Sequence, residues 1–588
     1  MFFSWLSSSI ILSIVFGQLF ASIFVFETSV FLFTIFVFFL TFLFFTRNFF
    51  FSIDLYLKRT QALLAGCIII FWTCLFVVIG PFDVVPSDII SHFHSIKRAL
   101  IRLEVWGVQR FEGNWFSDKA NLYGYTVFAL VLDLLNLDNF SRIRFLSWFS
   151  PLLLLLVFME WSTFIFSKAI SSPLLNALAS AGAVIMFPLM LGVDSFSYIR
   201  AYFAAAACLG MILYFCICYL FLRLYLGDFG RSERNTVFVF VLLIFFAQVL
   251  IHPQEALFSF STGIGYITLI AIRSYCGNGS VSHCVIRLGL VVFLGVLVSG
   301  VSASIFYPAV DPGQFVYHAD LILFDFYIID FIEQGLRTLG WAGFAILALG
   351  LLVRVPTLSI HFGAVLVGFL VTAGNPLFVH LLIDSGLSSV LYRFFFILMP
   401  SLWFGGLMAK FGQVAPVSRE NVCKAAAGFG LLLCFCVWGL SSKRVQSMSP
   451  LLEGERVVWW EDLFVYMEGL DPFKIIYTDP VTGYLVNGLS NQEFFGSKFV
   501  GGSHFVPMVL DNFVLEKYEE KRGTYLVVNL RNGVPGDFSK EVGHWPEEVL
   551  DLRKYYSSDL LKYIESSPLE FLLQWRSVDG RISVYLIR

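Results

Sequence analysis

Ionisable side chains in this sequence gather where apolar runs end, and their spacing is the first hint of chemistry. The segment PFDVVPSDIISHFHSIKRAL places Asp83 and Asp88 just after a long apolar stretch, with His92 and His94 following. Asp88 and His92 are four residues apart. They share one face if a helix starts near Ser87, a residue type that caps helices well. Charged groups at a membrane edge are costly and tend to be functional. The plain alternative is a capped surface helix with Lys97 and Arg98 on lipid headgroups.

Four further segments carry charge at similar places. MLGVDSFSYIR holds Asp194 and Arg200, and IHPQEALF holds His252 and Glu255 in a tight turn made by Pro253. An ion pair at a helix end explains the first, and a structurally satisfied His–Glu pair explains the second, as well as a binding role does. The stretch VDPGQFVYHADLILFDFYIIDFIEQG contains Asp311, His318, Asp320, Asp325, Asp330 and Glu333 without a basic residue. It could bind a cation or an amine, or simply face water. LLIDSGLSSVLYRFFFILMP puts Tyr392 and Arg393 at the start of an apolar run. A guanidinium there suits a phosphate, from bulk lipid or from one specific ligand.

The elements that carry these residues must be membrane helices. Hydrophobic residues make up 58% of the 588 residues and charged ones 14%, far below the usual ~25% of soluble proteins. The formal net charge of -3 argues against nucleic acid as a main partner. About thirteen stretches approach the ~20 apolar residues of a span: 4–26, 29–46, 61–81, 145–166, 172–192, 201–224, 235–251, 256–273, 285–305, 336–353, 357–372, 394–410 and 424–440. The first basic residue is Arg47, so the start of the chain lacks the charged region of a cleavable signal.

The basic residues of short loops set the direction. With the N-terminus inside, Arg47, Lys58, Arg59, Lys168, Arg231, Arg234, Arg273, Arg354 and Lys410 all fall inside. The loops 252–255 and 306–335 fall outside and carry no Lys or Arg. Residues 121–137 then read as a re-entrant or interfacial helix of the first outer loop, 82–144, because a full span there would invert every later loop. The ten cysteines show no metal-ligand spacing and read as apolar fillers. From Ser441 the pattern changes to strand-like runs (FKIIYT, TYLVVNL, ISVYLIR) among charged helical stretches, a soluble α/β domain outside the membrane. Asp479 and Thr482 there look like a strand end followed by a helix cap.

The expected organisation is an N-terminal transmembrane hairpin and linker (1–60), a transmembrane domain (61–440), which the resemblance described next makes the catalytic one, and a periplasmic α/β domain (441–588). The order of segments from about Gly80 to Arg393 resembles the glycosyltransferase C superfamily of membrane enzymes, which use polyprenyl-phosphate sugars. The resemblance rests on the acidic loop at Asp88, the Tyr-containing NLYGYTVFALVLDLLNL, the Arg-containing RIRFLSWFSPLLLLLVFM, the acidic loop at Asp194 and the HPQE turn. The tail segment YTDPVTGYLVNGLSN is similar to the periplasmic tails of bacterial members. The hairpin 4–46 departs from the simpler members.

The resemblance implies sugar transfer from a polyprenyl-phosphate donor, of a pentose or a hexose, to an acceptor hydroxyl on protein, lipid or polysaccharide. In that scheme Asp88 is the general base and Asp83 its reserve. Arg393, helped by Tyr392, holds the donor phosphate. Arg200, His252 or Glu255 orients donor or acceptor, with Asp194 and His92 in the same group. Metal dependence stays open, since the only hint of a divalent cation is an acidic loop. The expected place is the plasma membrane, in contact with its lipids. The rival expectations are a transporter or flippase of a lipid-linked glycan, and a non-catalytic subunit whose tail docks a partner.

Overall fold

The computed structural model describes residues 2–24, 28–50, 55–79, 122–135, 139–189, 206–278, 355–375, 377–379, 388–414, 458–470, 475–479, 523–530 and 558–588, with short pieces and single positions between them. The chain divides into two units, one of 1–76, 102–130 and 146–441, the other of 77–101, 131–145 and 442–588.

The first unit is helical. Its helices are α1 (Phe2–Phe24), α2 (Thr28–Phe50), α3 (Leu55–Ile79), α4 (Leu122–Leu135), α5 (Asn139–Ser167), α6 (Pro173–Leu189), α7 (Ala206–Leu226), α8 (Arg231–Ile251), α9 (Pro253–Asn278), α10 (Pro356–Val371) and α11 (Pro400–Val414). The last residues of α3 and α4 and the first of α5 are grouped with the second unit. Among the described residues, five segments are long and apolar enough to cross a membrane: Phe2–Leu19, Phe145–Ser167, Ala206–Leu226, Glu233–Ile251 and Pro253–Cys276. Leu32, Phe33, Phe36, Leu40 and Phe44 of α2 remain exposed and form one apolar stripe. Helix α4 has 14 residues, roughly 21 Å, less than the ~30 Å hydrocarbon core.

Two close approaches join α9 and α10. A Cβ at Gly265 of α9 would lie 1.7 Å from the Ala364 carbonyl oxygen of α10. One at Gly368 would lie 1.9 Å from the Ser261 carbonyl oxygen. Ser261/Gly265 and Ala364/Gly368 are thus paired small residues four apart, the pattern that lets membrane helices meet backbone to backbone. Thr372 adds a hydroxyl bond to Ser261 Oγ at 3.0 Å. On α5, Glu160 is buried and accepts from the Phe3 and Ser4 amides and the Ser4 hydroxyl at 2.9, 2.8 and 2.7 Å. It satisfies amides of the first turn of α1, which have no partner inside their own helix.

The expected span 394–410 differs from what forms. Residues Ser388–Leu398 make a 3₁₀ helix, and α11 begins only at Pro400. Proline has no amide hydrogen and restricts the residue before it, and Met399 takes a positive φ of 43°. The stretches 285–305 and 424–440 lie largely or wholly outside the described residues.

In the second unit, strands β1 (Ile475–Tyr477), β2 (Glu493–Phe494), β5 (Tyr525–Asn529), β6 (Phe571–Arg576) and β7 (Ile582–Ile587) form one sheet in the order β2-β1-β5-β7-β6. β3 (Phe499–Val500) and β4 (His504–Phe505) form a separate pair. β1 runs parallel to β2 and β5, while β7 is antiparallel to β5 and β6. Leu560 and Ile564 of helix α13 (Ser558–Ser566) share a core with Tyr477, Leu526, Val528 and Ile587. A further helix, α12 (Val458–Glu468), stacks Tyr466 on Trp575 of β6.

Candidate functional site

Pro253 decides the geometry between α8 and α9. The residue before a proline is driven out of helical geometry, and His252 is extended at φ -161° and ψ 105°. Proline at the first helical position then opens α9 without losing a bond. This places Glu255 in the first turn of α9, where a carboxylate suits the helix dipole.

Glu255 is fully buried, and its Oε2 lies 2.5 Å from His252 Nδ1, whose side chain is 22% exposed. Gln254 Nε2 donates to Glu255 Oε1 at 3.3 Å, and Arg393 Nη1 donates to Gln254 Oε1 at 2.6 Å. Four side chains from two segments 139 residues apart thus form one chain: Arg393, Gln254, Glu255 and His252. Helix α7 makes room for it. A Cβ at Gly210 would lie 2.8 Å from Glu255 Oε2, and the Gly210 carbonyl accepts from Gln248 Nε2 at 3.0 Å.

Helix α4 reaches the same end of the bundle. A Cβ at Gly124 would lie 2.5 Å from Ala206 Cβ and 3.1 Å from Ile251 Cγ2, and Ile251 directly precedes His252. The opposite end of α7 and α8 is basic. There Asp228 meets Lys168 at 3.2 Å and Arg223 at 3.7 Å, and Arg223 lies over the Phe229 ring.

No family model matches this chain, and no curated protein matches it. Its chemistry has to be read from these side chains.

Of the residues named from the sequence, His252, Glu255 and Arg393 come together. His92 is helical and partly buried in the second unit. Asp83, Asp88, Asp194 and Arg200, and the acidic stretch 311–333, lie outside the described residues, as does the Tyr392 side chain. Gln254 was missed. It stands inside the HPQE turn, but an amide carries no chemical signal until its partner is known. Among the described residues no group of three or more His, Cys, Asp or Glu side chains could hold a metal.

The second unit has a polar cluster of its own at the C-terminal ends of β1 and β5. Asp479 Oδ1 accepts from the Thr482 amide at 2.8 Å, which is a strand end closed by a cap. Its Oδ2 accepts from the Tyr556 hydroxyl at 2.7 Å. Asn529 Nδ2 donates to Thr482 Oγ1 at 3.0 Å. All four side chains are buried. Burial first, and the Asp479 charge second, push the Tyr556 hydroxyl well above the ordinary tyrosine value. It therefore stays protonated and donating, and the cluster is a clasp rather than a site for chemistry.

Proposed function

We propose that the chain is a membrane glycosyltransferase of the glycosyltransferase C type, with about thirteen spans and its tail on the periplasmic side. It moves a pentose or hexose from a polyprenyl-phosphate donor to an acceptor hydroxyl. The observation that carries this reading is the Arg393–Gln254–Glu255–His252 chain. It holds a guanidinium and an imidazole–carboxylate pair at the end of an apolar bundle, where a lipid phosphate would lie. A guanidinium stabilises negative charge as it grows on a leaving phosphate. Asp88 takes the proton of the acceptor hydroxyl, the hydroxyl oxygen bonds the anomeric carbon, and the bond from that carbon to phosphate breaks.

The test is purification into lipid nanodiscs and incubation with a panel of polyprenyl-phosphate sugars, following release of polyprenyl phosphate. The wild-type chain should release it. Asp88→Asn should abolish release while the protein still inserts, and Arg393→Ala should mainly weaken donor use. Full activity in both variants would end the assignment.

One observation favours a transporter instead. His361 and Tyr266 lie well inside the bundle and are bonded at 2.8 Å, whereas a purely surface-acting enzyme needs no polar pair at that depth. Passage of an intact lipid-linked glycan across proteoliposomes, without cleavage, would decide for that reading.

A further inference from the structure

One face of α9 carries a polar line into the bundle. Glu255, Ser259, Thr262 and Tyr266 follow one another at spacings of four, three and four residues, and every one is fully buried. Such spacing keeps them on a single stripe of a helix, and the stripe spans roughly 16 Å of helix axis from Glu255 to Tyr266. The hydroxyl of Thr262 lies 3.0 Å from that of Tyr214 on α7. The hydroxyl of Tyr266 lies 2.8 Å from His361 Nδ1 on α10. The Trp161 ring of α5 meets the His361 ring edge-on, with centroids 4.7 Å apart.

Among the described residues, three polar atoms on or beside this line have no hydrogen-bond partner: Ser259 Oγ, His361 Nε2 and Trp161 Nε1. Their side chains are at most 2% exposed. An unpaired polar group is costly to bury, so these three call for a partner. That partner must be small and able both to donate and to accept. The indole nitrogen only donates. Nε2 of His361 accepts if Nδ1–H is given to Tyr266, and donates if the Tyr266 hydroxyl is given to Nδ1. A single molecule that accepts from Trp161 and meets His361 in either role satisfies both, and the Ser259 hydroxyl can donate or accept.

We infer that this stripe is a hydrated path, by which water enters from the His252–Glu255 end and reaches His361. Buried waters make two to four such bonds, and the groups here supply them. The path is independent of the transferase reading, since a transporter could use it equally. The rival is a dry contact, in which polar side chains only glue helices together.

Millisecond X-ray hydroxyl-radical labelling of the full chain in nanodiscs, in ¹⁸O water, separates the two. Radicals form from water and oxidise the side chains beside it. Trp72 is the internal dry control, because it is buried and its indole already donates to the Trp148 carbonyl at 2.9 Å. The expected result is ¹⁸O incorporation at Trp161 and Tyr266 several-fold above Trp72. Incorporation at Trp161 no higher than at Trp72 would overturn the inference. In Ser259→Val, with unchanged helicity and melting, incorporation at Trp161 should fall to the Trp72 level. If labelling stays high in that variant and in Thr262→Val, water comes from elsewhere, and the path along α9 is wrong.

Discussion

Arg393 shows what a single side chain can and cannot announce. Its sequence neighbours give it no partner, yet its guanidinium is set by the Gln254 carbonyl at 2.6 Å. Gln254→Leu keeps the volume and removes that acceptor. A hydrogen bond to a charged group contributes about 2 kcal/mol, so donor KM should rise roughly 30-fold, with kcat less affected. Steady-state kinetics on the polyprenyl-phosphate sugar found in the nanodisc assay checks this, and an unchanged KM would place Arg393 outside the donor site. Tyr556 supports a prediction of another kind. Its folded-state value is raised, so its contribution to stability is complete below the ordinary value of 10.0 and fades as pH climbs through the raised one. Tyr556→Phe should cost the tail about 1–3 kcal/mol at neutral pH by leaving Asp479 Oδ2 short of a donor. It should also remove this group's share of the alkaline loss. Urea-dependent proteolysis of the full chain, at neutral pH and above 10, reads both effects.

Helices that pack through their backbones leave little room for error. Gly265→Ala would set a methyl group 1.7 Å from the Ala364 carbonyl oxygen, so α9 and α10 must move apart. Overpacking of this kind costs about 1–3 kcal/mol, and the melting temperature in nanodiscs should fall. Gly363→Ala, whose nearest neighbour would be Leu269 Cδ1 at 3.8 Å, is the control that should leave it unchanged. Most elements could be read from the sequence because their signals are local. The apolar runs overlap α1, α2, α3 and α5 to α10 with ends that differ by up to about six residues, and the runs FKIIYT, TYLVVNL and ISVYLIR contain β1, β5 and β7. Strand β6, FLLQWR, went unread because its exposed Leu573 and Gln574 break the alternation expected of a half-buried strand. The 3₁₀ stretch Ser388–Leu398 was hidden for another reason. An apolar run fixes burial and leaves the helical period to the backbone around Met399 and Pro400.

For the molecule as a whole, the function stands or falls on sidedness. The HPQE turn and Arg393 share one end of the bundle, and the Lys168–Asp228–Arg223 cluster marks the other end of α7 and α8. Basic groups concentrate on the cytoplasmic side of membrane proteins, so the His252 end should face outward. The transferase reading needs the segments of Asp88 and Arg393 both on that outer side, because a base cannot act across ~30 Å of hydrocarbon from the phosphate. A cysteine-free background, made by replacing the ten native cysteines, allows a direct test with single cysteines beside each segment. Ser87→Cys and Ser389→Cys should react with a membrane-impermeant maleimide added to intact cells. Ser232→Cys, at the start of α8, should react only after the membrane is opened. Were Ser87→Cys and Ser389→Cys to label from opposite faces, Asp88 could not be the base for a donor held by Arg393, whatever activity the chain displayed.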